Sequence, residues 1–146
     1  MSKRFTLGRD ERLKSRKAIE QLFRDGNRFT LAPFRVFFQL SKEQPQKKVD
    51  APGALRGSML QFGVAVSTRN FKKAVDRNRI KRICREAWRL QKNELKNTLK
   101  ARGHFMQLFL IYTGRELPTY EVVSGKVSLI LKKLLKQLNE NNSPDS

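Results

Sequence analysis

The sequence predicts an α+β fold, an α/β sandwich in which one mixed sheet is packed by helices. Three observations carry this expectation. Phe34 to Leu40 alternates Phe34, Val36, Phe38 and Leu40 with Arg35, Phe37 and Gln39, the period of a strand. Tyr120 to Leu138 instead groups Val123, Val127, Ile130, Leu131, Leu134 and Leu138 opposite Lys126, Lys132, Lys133 and Lys136, the period of a helix. The length of 146 residues suits one domain with one core of ordinary size, and ten Phe supply large apolar surfaces for it.

Taken in order, residues 1–11 lack periodicity and carry Lys3, Arg4 and Arg9, so they read as a basic arm. A first helix is predicted over Arg12 to Asp25, with Ile19, Leu22 and Phe23 on one side and Gly26-Asn27 as its stop. A strand or bend near Arg28 to Leu31 precedes Pro33, which opens the alternating strand. Ser41 to Ser58 holds Pro45, Pro52, Gly53 and Gly57 and reads as a long flexible loop. Met59 to Ser67 is the next strand, and Phe105 to Tyr112, apolar almost throughout, the last. Between them lies one long basic helical segment. Pro118-Thr119 introduces the closing helix, and the tail 139–146 is expected to fray.

Lys plus Arg number 32 against 13 acids, a formal charge of +19, and such an excess needs a polyanion. Nucleic acid fits best. One cysteine (Cys84) excludes an internal disulfide, and one histidine (His104) beside it excludes a zinc cluster. No stretch approaches the roughly 18 apolar residues of a membrane span, and no apolar leader is present, so a cytoplasmic protein without a membrane partner is expected. The 13 acids are scattered and His104, expected in a surface loop, has no sequence-near partner, which argues against an independent protein nuclease. No catalytic residue and no protein partner stand out.

The charge is concentrated. Arg69 to Arg102 contains 13 basic residues against Asp76, Glu86 and Glu94, a net +10. At about 100° per residue, Ile80, Ile83, Cys84 and Ala87 share one side of a helix. Asn78, Arg82, Arg85 and Arg89 share the other, flanked by Arg79 and Lys81. Like charges stacked this way repel unless an anion lies against them, and guanidinium forks bind phosphates bidentately. Asn78 adds a group able to read a base edge or ribose hydroxyl. Asp76 is placed to cap the helix. On the strand, Phe37 sits between Arg35 and Gln39 on the face away from the core. There it either stacks on single-stranded bases or lies under the first helix.

The run from Phe71 to Arg89, with Arg77-Asn78-Arg79 at its centre, resembles the signature of the bacterial ribonuclease P protein component. The likeness extends to Arg12-Leu13, Phe23, Gly26, Val66-Ser67 and the closing helix, leaving only 41–58 outside. It implies a left-handed βαβ crossover, where right-handed crossovers are the default. It also implies that the signature helix and its preceding loop contact a catalytic RNA subunit. The matching positions are Lys72, Lys73, Arg77, Asn78, Arg79, Lys81, Arg82, Arg85 and Arg89. That RNA, with bound Mg²⁺, removes the 5′ leader of precursor tRNA, and the protein positions the leader in a cleft. Ile19, Phe23 and Phe37 match the cleft, with Arg35 and Gln39 beside them, and Ile19 departs from the family by lacking an aromatic ring. The alternative is a non-catalytic basic RNA-binding protein such as a ribosomal component, which would need the charge but not the cleft.

Overall fold

The computed structural model describes residues 12–13, 15–41 and 60–141. The expected basic arm, most of the loop over 41–58 and residues 142–146 lie outside them. The element order is α1 (Arg16–Asp25), β1 (Asn27–Leu31), β2 (Phe34–Ser41), β3 (Leu60–Val66), α2 (Ala74–Gln91), α3 (Asn93–Arg102), β4 (Phe105–Tyr112) and α4 (Tyr120–Asn141). The four strands form one mixed sheet in the order β1-β2-β4-β3. β1 and β2 are antiparallel, as are β2 and β4, while β3 lies parallel to β4 and is joined to it through α2 and α3.

Period-2 alternation gives this sheet two faces of different character. Phe34, Val36 and Phe38 of β2, Leu60, Phe62 and Val66 of β3, and Met106, Leu108, Leu110 and Tyr112 of β4 enter the main core. α2 meets them with Ile80, Cys84, Ala87 and Trp88, α3 with Leu95 and Leu99, and α4 with its apolar stripe. Trp88 lies flat on Phe62, ring centroids 4.5 Å apart and planes 9° from parallel. Gln91 Nε2 donates to the Ser124 carbonyl and Oγ, both at 3.1 Å, fastening α2 to α4. The opposite face carries a smaller cluster of Leu13, Leu22, Phe37 and Phe109, covered by α1.

Several expectations are corrected at their edges. The first helix begins at Arg16 because Ser15 caps it, its side chain accepting from the Ala18 amide at 3.2 Å. Arg12-Leu13 instead runs beside β3, where the Leu13 amide donates to the Phe62 carbonyl at 2.8 Å. Residues 28–31 belong to a strand, joined to β2 by the two-residue turn Ala32-Pro33, whose peptide bond is cis. Ser41 ends β2 rather than starting the loop. The basic segment is two helices that part at Lys92, whose side chain is 1% exposed and so belongs to the interior rather than the basic surface. His104 is 8% exposed, not a surface loop residue: α3 ends at Gly103 in the left-handed conformation (φ 68°), which turns the chain straight into β4. The closing helix runs through Asn139 to Asn141. Arg102 supports its end by donating to Asn139 Oδ1 at 2.8 Å and to the Leu138 carbonyl at 3.5 Å.

Candidate nucleic-acid interface

Strand register arranges the α1 face of the sheet in rows. Gln39, Gln107 and Gln61 form the first, and Gln107 Nε2 donates to Gln61 Oε1 at 3.3 Å. Arg28, Phe37, Phe109 and Gly63 form the second, and Thr30, Arg35, Ile111 and Ala65 the third. α1 crosses the middle of this surface. Phe23 sets its ring 4.6 Å from Phe37 and 5.5 Å from Phe109, centroid to centroid. Gly63 is required there, since a Cβ would lie 2.7 Å from two Phe109 ring carbons and 2.8 Å from the Leu13 carbonyl oxygen. Ile19, half-buried, packs on the same cluster.

The two open readings of Phe37 are thereby separated by geometry. Phe37 is 8% exposed and lies largely under α1, whereas Phe23 keeps 36% of its surface open. Phe23 therefore offers the broader ring face to a base. Phe37 also borders a cleft of about 370 Å³ with Arg28, Phe29, Thr30 and Arg35. Arg35 is shared with a second depression of about 610 Å³, lined by Arg69, Asn70, Arg115, Thr113 and Ile111 among others. A third, of about 230 Å³, lies on the other side of the ring cluster. There Arg85 of α2 reaches the β3 edge beside Arg12, Ile19 and Phe109. Half-buried Gln39 sits one row away, opposite Gln107.

The sequence pattern places Arg69 in the basic segment but does not mark Arg28, Arg69 or Arg115 as part of the cleft. Their part in this surface depends on strand register and on two loops meeting at the end of β4, neither of which a linear pattern displays. Arg28, Arg35, Arg69 and Arg115 make no ion pair with any described residue. Guanidinium groups without an ion-pair partner among the described residues, gathered beside an apolar ring cluster, suit an unpaired, phosphate-bearing strand.

The basic helix sorts its charges as its spacing predicts. Ile80, Cys84, Ala87 and Trp88 are buried. Asn78, Arg79, Arg82 and Arg85 are exposed, as are Lys72 and Lys73 before the helix; Lys81 and Arg89 are half-buried. Ile83 is half-buried rather than fully interior. Arg89 is partly engaged, with Nη2 2.6 Å from Glu86 Oε2. Asp76 does not cap α2. The N-cap is Lys73, which makes no side-chain cap bond, and Asp76 lies in the first turn, where its charge complements the helix dipole. Burial pushes the Cys84 thiol up to about 12 against a smaller opposing effect of Arg85, so at neutral pH it is a small apolar group and not a nucleophile.

Residues 7–136 match the ribonuclease P family. The chain belongs to the ribonuclease P protein family. The ribonuclease P protein component of Porphyromonas gingivalis is 35% identical over 119 residues, covering 82% of this chain and 79% of that one. That of Chlorobaculum tepidum is 32% identical over 135 residues, covering 88% and 82%. The fold is also that of the solved Staphylococcus aureus RNase P protein. The TM-score is 0.60 at 19% identity, with 85% of this chain and 94% of that chain covered.

Proposed function

We propose that this chain is the protein subunit of a ribonuclease P ribonucleoprotein, an endoribonuclease that trims the 5′ leader from precursor tRNA in the cytoplasm. The exposed face of α2 and the loop before it bind the catalytic RNA subunit through Lys72, Lys73, Asn78, Arg79, Lys81, Arg82 and Arg85. The sheet face under α1 takes the unpaired leader, with Phe23 against its bases, Phe37 packed on the Phe23 ring from the sheet side, and Arg35 among the guanidinium groups on its phosphates. Arg85, at the β3 edge between the two surfaces, brings both RNAs to one side of the molecule.

The observation that carries this reading is the pairing of a sorted basic helix with a separate cleft whose rings and cations suit a single strand. A protein that only coats folded RNA needs the first and not the second. Among the described residues no three His, Cys, Asp or Glu side chains converge to hold a cation. In this reading the RNA subunit holds the Mg²⁺, as the family resemblance implies. No described helix is long and apolar enough to cross a membrane. Purification of the tagged protein from a bacterial extract, followed by sequencing of the bound RNA, tests the assignment. One structured RNA that cleaves precursor tRNA is the expected companion, and ribosomal RNA alone would refute it.

A further inference from the structure

Arg77 stands at the head of the basic signature, yet its guanidinium turns back onto the chain that precedes it. Nη1 donates to the Phe71 carbonyl at 2.9 Å and to the Lys72 carbonyl at 2.9 Å. Two bonds use both hydrogens of that nitrogen.

The segment it grips leads from β3 into α2, and its first half is fixed by other means. Ser67 Oγ accepts from the amides of Arg69 and Asn70 at 3.2 and 3.4 Å. Asn70 Nδ2 donates to the Thr113 and Gly114 carbonyls, both at 3.2 Å, and buried Phe71 packs on Tyr112. Beyond Phe71 these ties end. Lys73 caps α2 without a side-chain bond, so no Ser, Thr, Asp or Asn organises the entry to the helix. Arg77 supplies that organisation, in the stretch that carries the exposed cations Lys72 and Lys73.

We propose that Arg77 is a positioning residue for the RNA contact, holding the backbone at Phe71 and Lys72 so that Lys72 and Lys73 meet phosphates in register with the exposed face of α2. The proposal rests on the reading that this face binds the RNA subunit. In binding free energy, Arg77 acts through its neighbours, so its loss and theirs are not additive. A direct phosphate contact would be additive and would carry its own share of the salt dependence.

The test compares Arg77→Ala, the double variant Lys72→Ala/Lys73→Ala and the triple variant, titrated with a bacterial ribonuclease P RNA over a range of salt. Amide exchange is followed on the same proteins without RNA. Arg77→Ala is expected to weaken association about tenfold, the strength of one charged hydrogen bond. Added to the lysine variant, it should cost no more than about twofold. In the free protein the amides of Phe71, Asp76 and Arg77 should exchange at least about tenfold faster in Arg77→Ala, while those from Ile80 to Trp88 stay unchanged. Arg79→Ala should leave all of them unchanged. A further tenfold loss in the triple variant, with the salt slope lowered by about 0.7 to 0.9, would assign Arg77 to a phosphate and overturn the proposal. Unaltered exchange in Arg77→Ala overturns it whatever the RNA does. Faster exchange with RNA affinity unchanged in every variant refutes the RNA reading, and the proposal falls with it.

Discussion

Phe23→Ala separates leader recognition from folding. The Phe23 ring is more than one third open and meets the core through its contacts with Phe37 and Phe109. Losing those ring pairs removes about 0.5 to 1.5 kcal/mol each beyond the buried area, so the folded state should survive. Phe37→Ala is the matched control. With 8% of its surface exposed, it should cost about 3 to 5 kcal/mol of stability by transfer and cavity effects, lowering the melting temperature by on the order of 10 °C. If a leader base stacks on Phe23, its removal costs about 1 to 3 kcal/mol, or roughly 5- to 150-fold in affinity. That loss should appear for precursor tRNA and not for mature tRNA, which lacks the leader. The assay is paired binding of both tRNAs to the protein–RNA holoenzyme, with a melting curve for each variant. Equal weakening toward both tRNAs, or no weakening with a variant that still melts near the parent, would refute the stacking assignment.

Three further outcomes follow from the packing and the charge. Arg82→Ala and Arg85→Ala should each reduce the salt slope of RNA association by about 0.7 to 0.9 with melting unchanged. Arg89→Ala should reduce it less, because its guanidinium already binds Glu86; equal reductions in all three would contradict that engagement. Gly63→Ala should lower stability by about 1 to 3 kcal/mol through overpacking against Phe109 and Leu13, checked by urea unfolding, and an unshifted midpoint would count against the close approach. Cys84 should resist alkylation at pH 8 in the folded protein. Its folded pKa is raised from 9.0 to about 12, so its contribution to stability is complete below about pH 9 and is lost as pH rises toward 12, because the unfolded thiol ionises first. Alkylation as fast as that of the unfolded chain would place the thiol at the surface.

β2, β3, β4 and the closing helix are legible in the sequence because each writes its own period: Phe34 to Leu40 alternates, and Val123 to Leu138 repeats at helical spacing. β1 is harder to read, being five residues long with no buried position and paired on one side only. The break between α2 and α3 carries no Gly or Pro, and Lys92 stays in helical conformation, so the run from Ala74 to Arg102 looks continuous. Lys92 and His104 mislead for a shared reason, since a polar side chain in a basic stretch reads as surface until tertiary packing encloses it. The basic face of α2 follows from helical spacing alone. The cleft does not, because Arg28, Arg69 and Arg115 are brought near Arg35 by register and by two loops meeting at one end of the sheet. Arg77 shows the same limit, as its partners are carbonyls of the preceding turn.

In the proposed function this chain enables an RNA enzyme to process precursor tRNA. Cleavage of a precursor tRNA by a bacterial ribonuclease P RNA, at a Mg²⁺ concentration too low for the RNA alone, tests it most directly. Adding the protein should restore release of the 5′ leader, and the protein without the RNA should release nothing. Leader release by the protein alone, or no rescue of the RNA by a folded protein that binds it, would rule out this function.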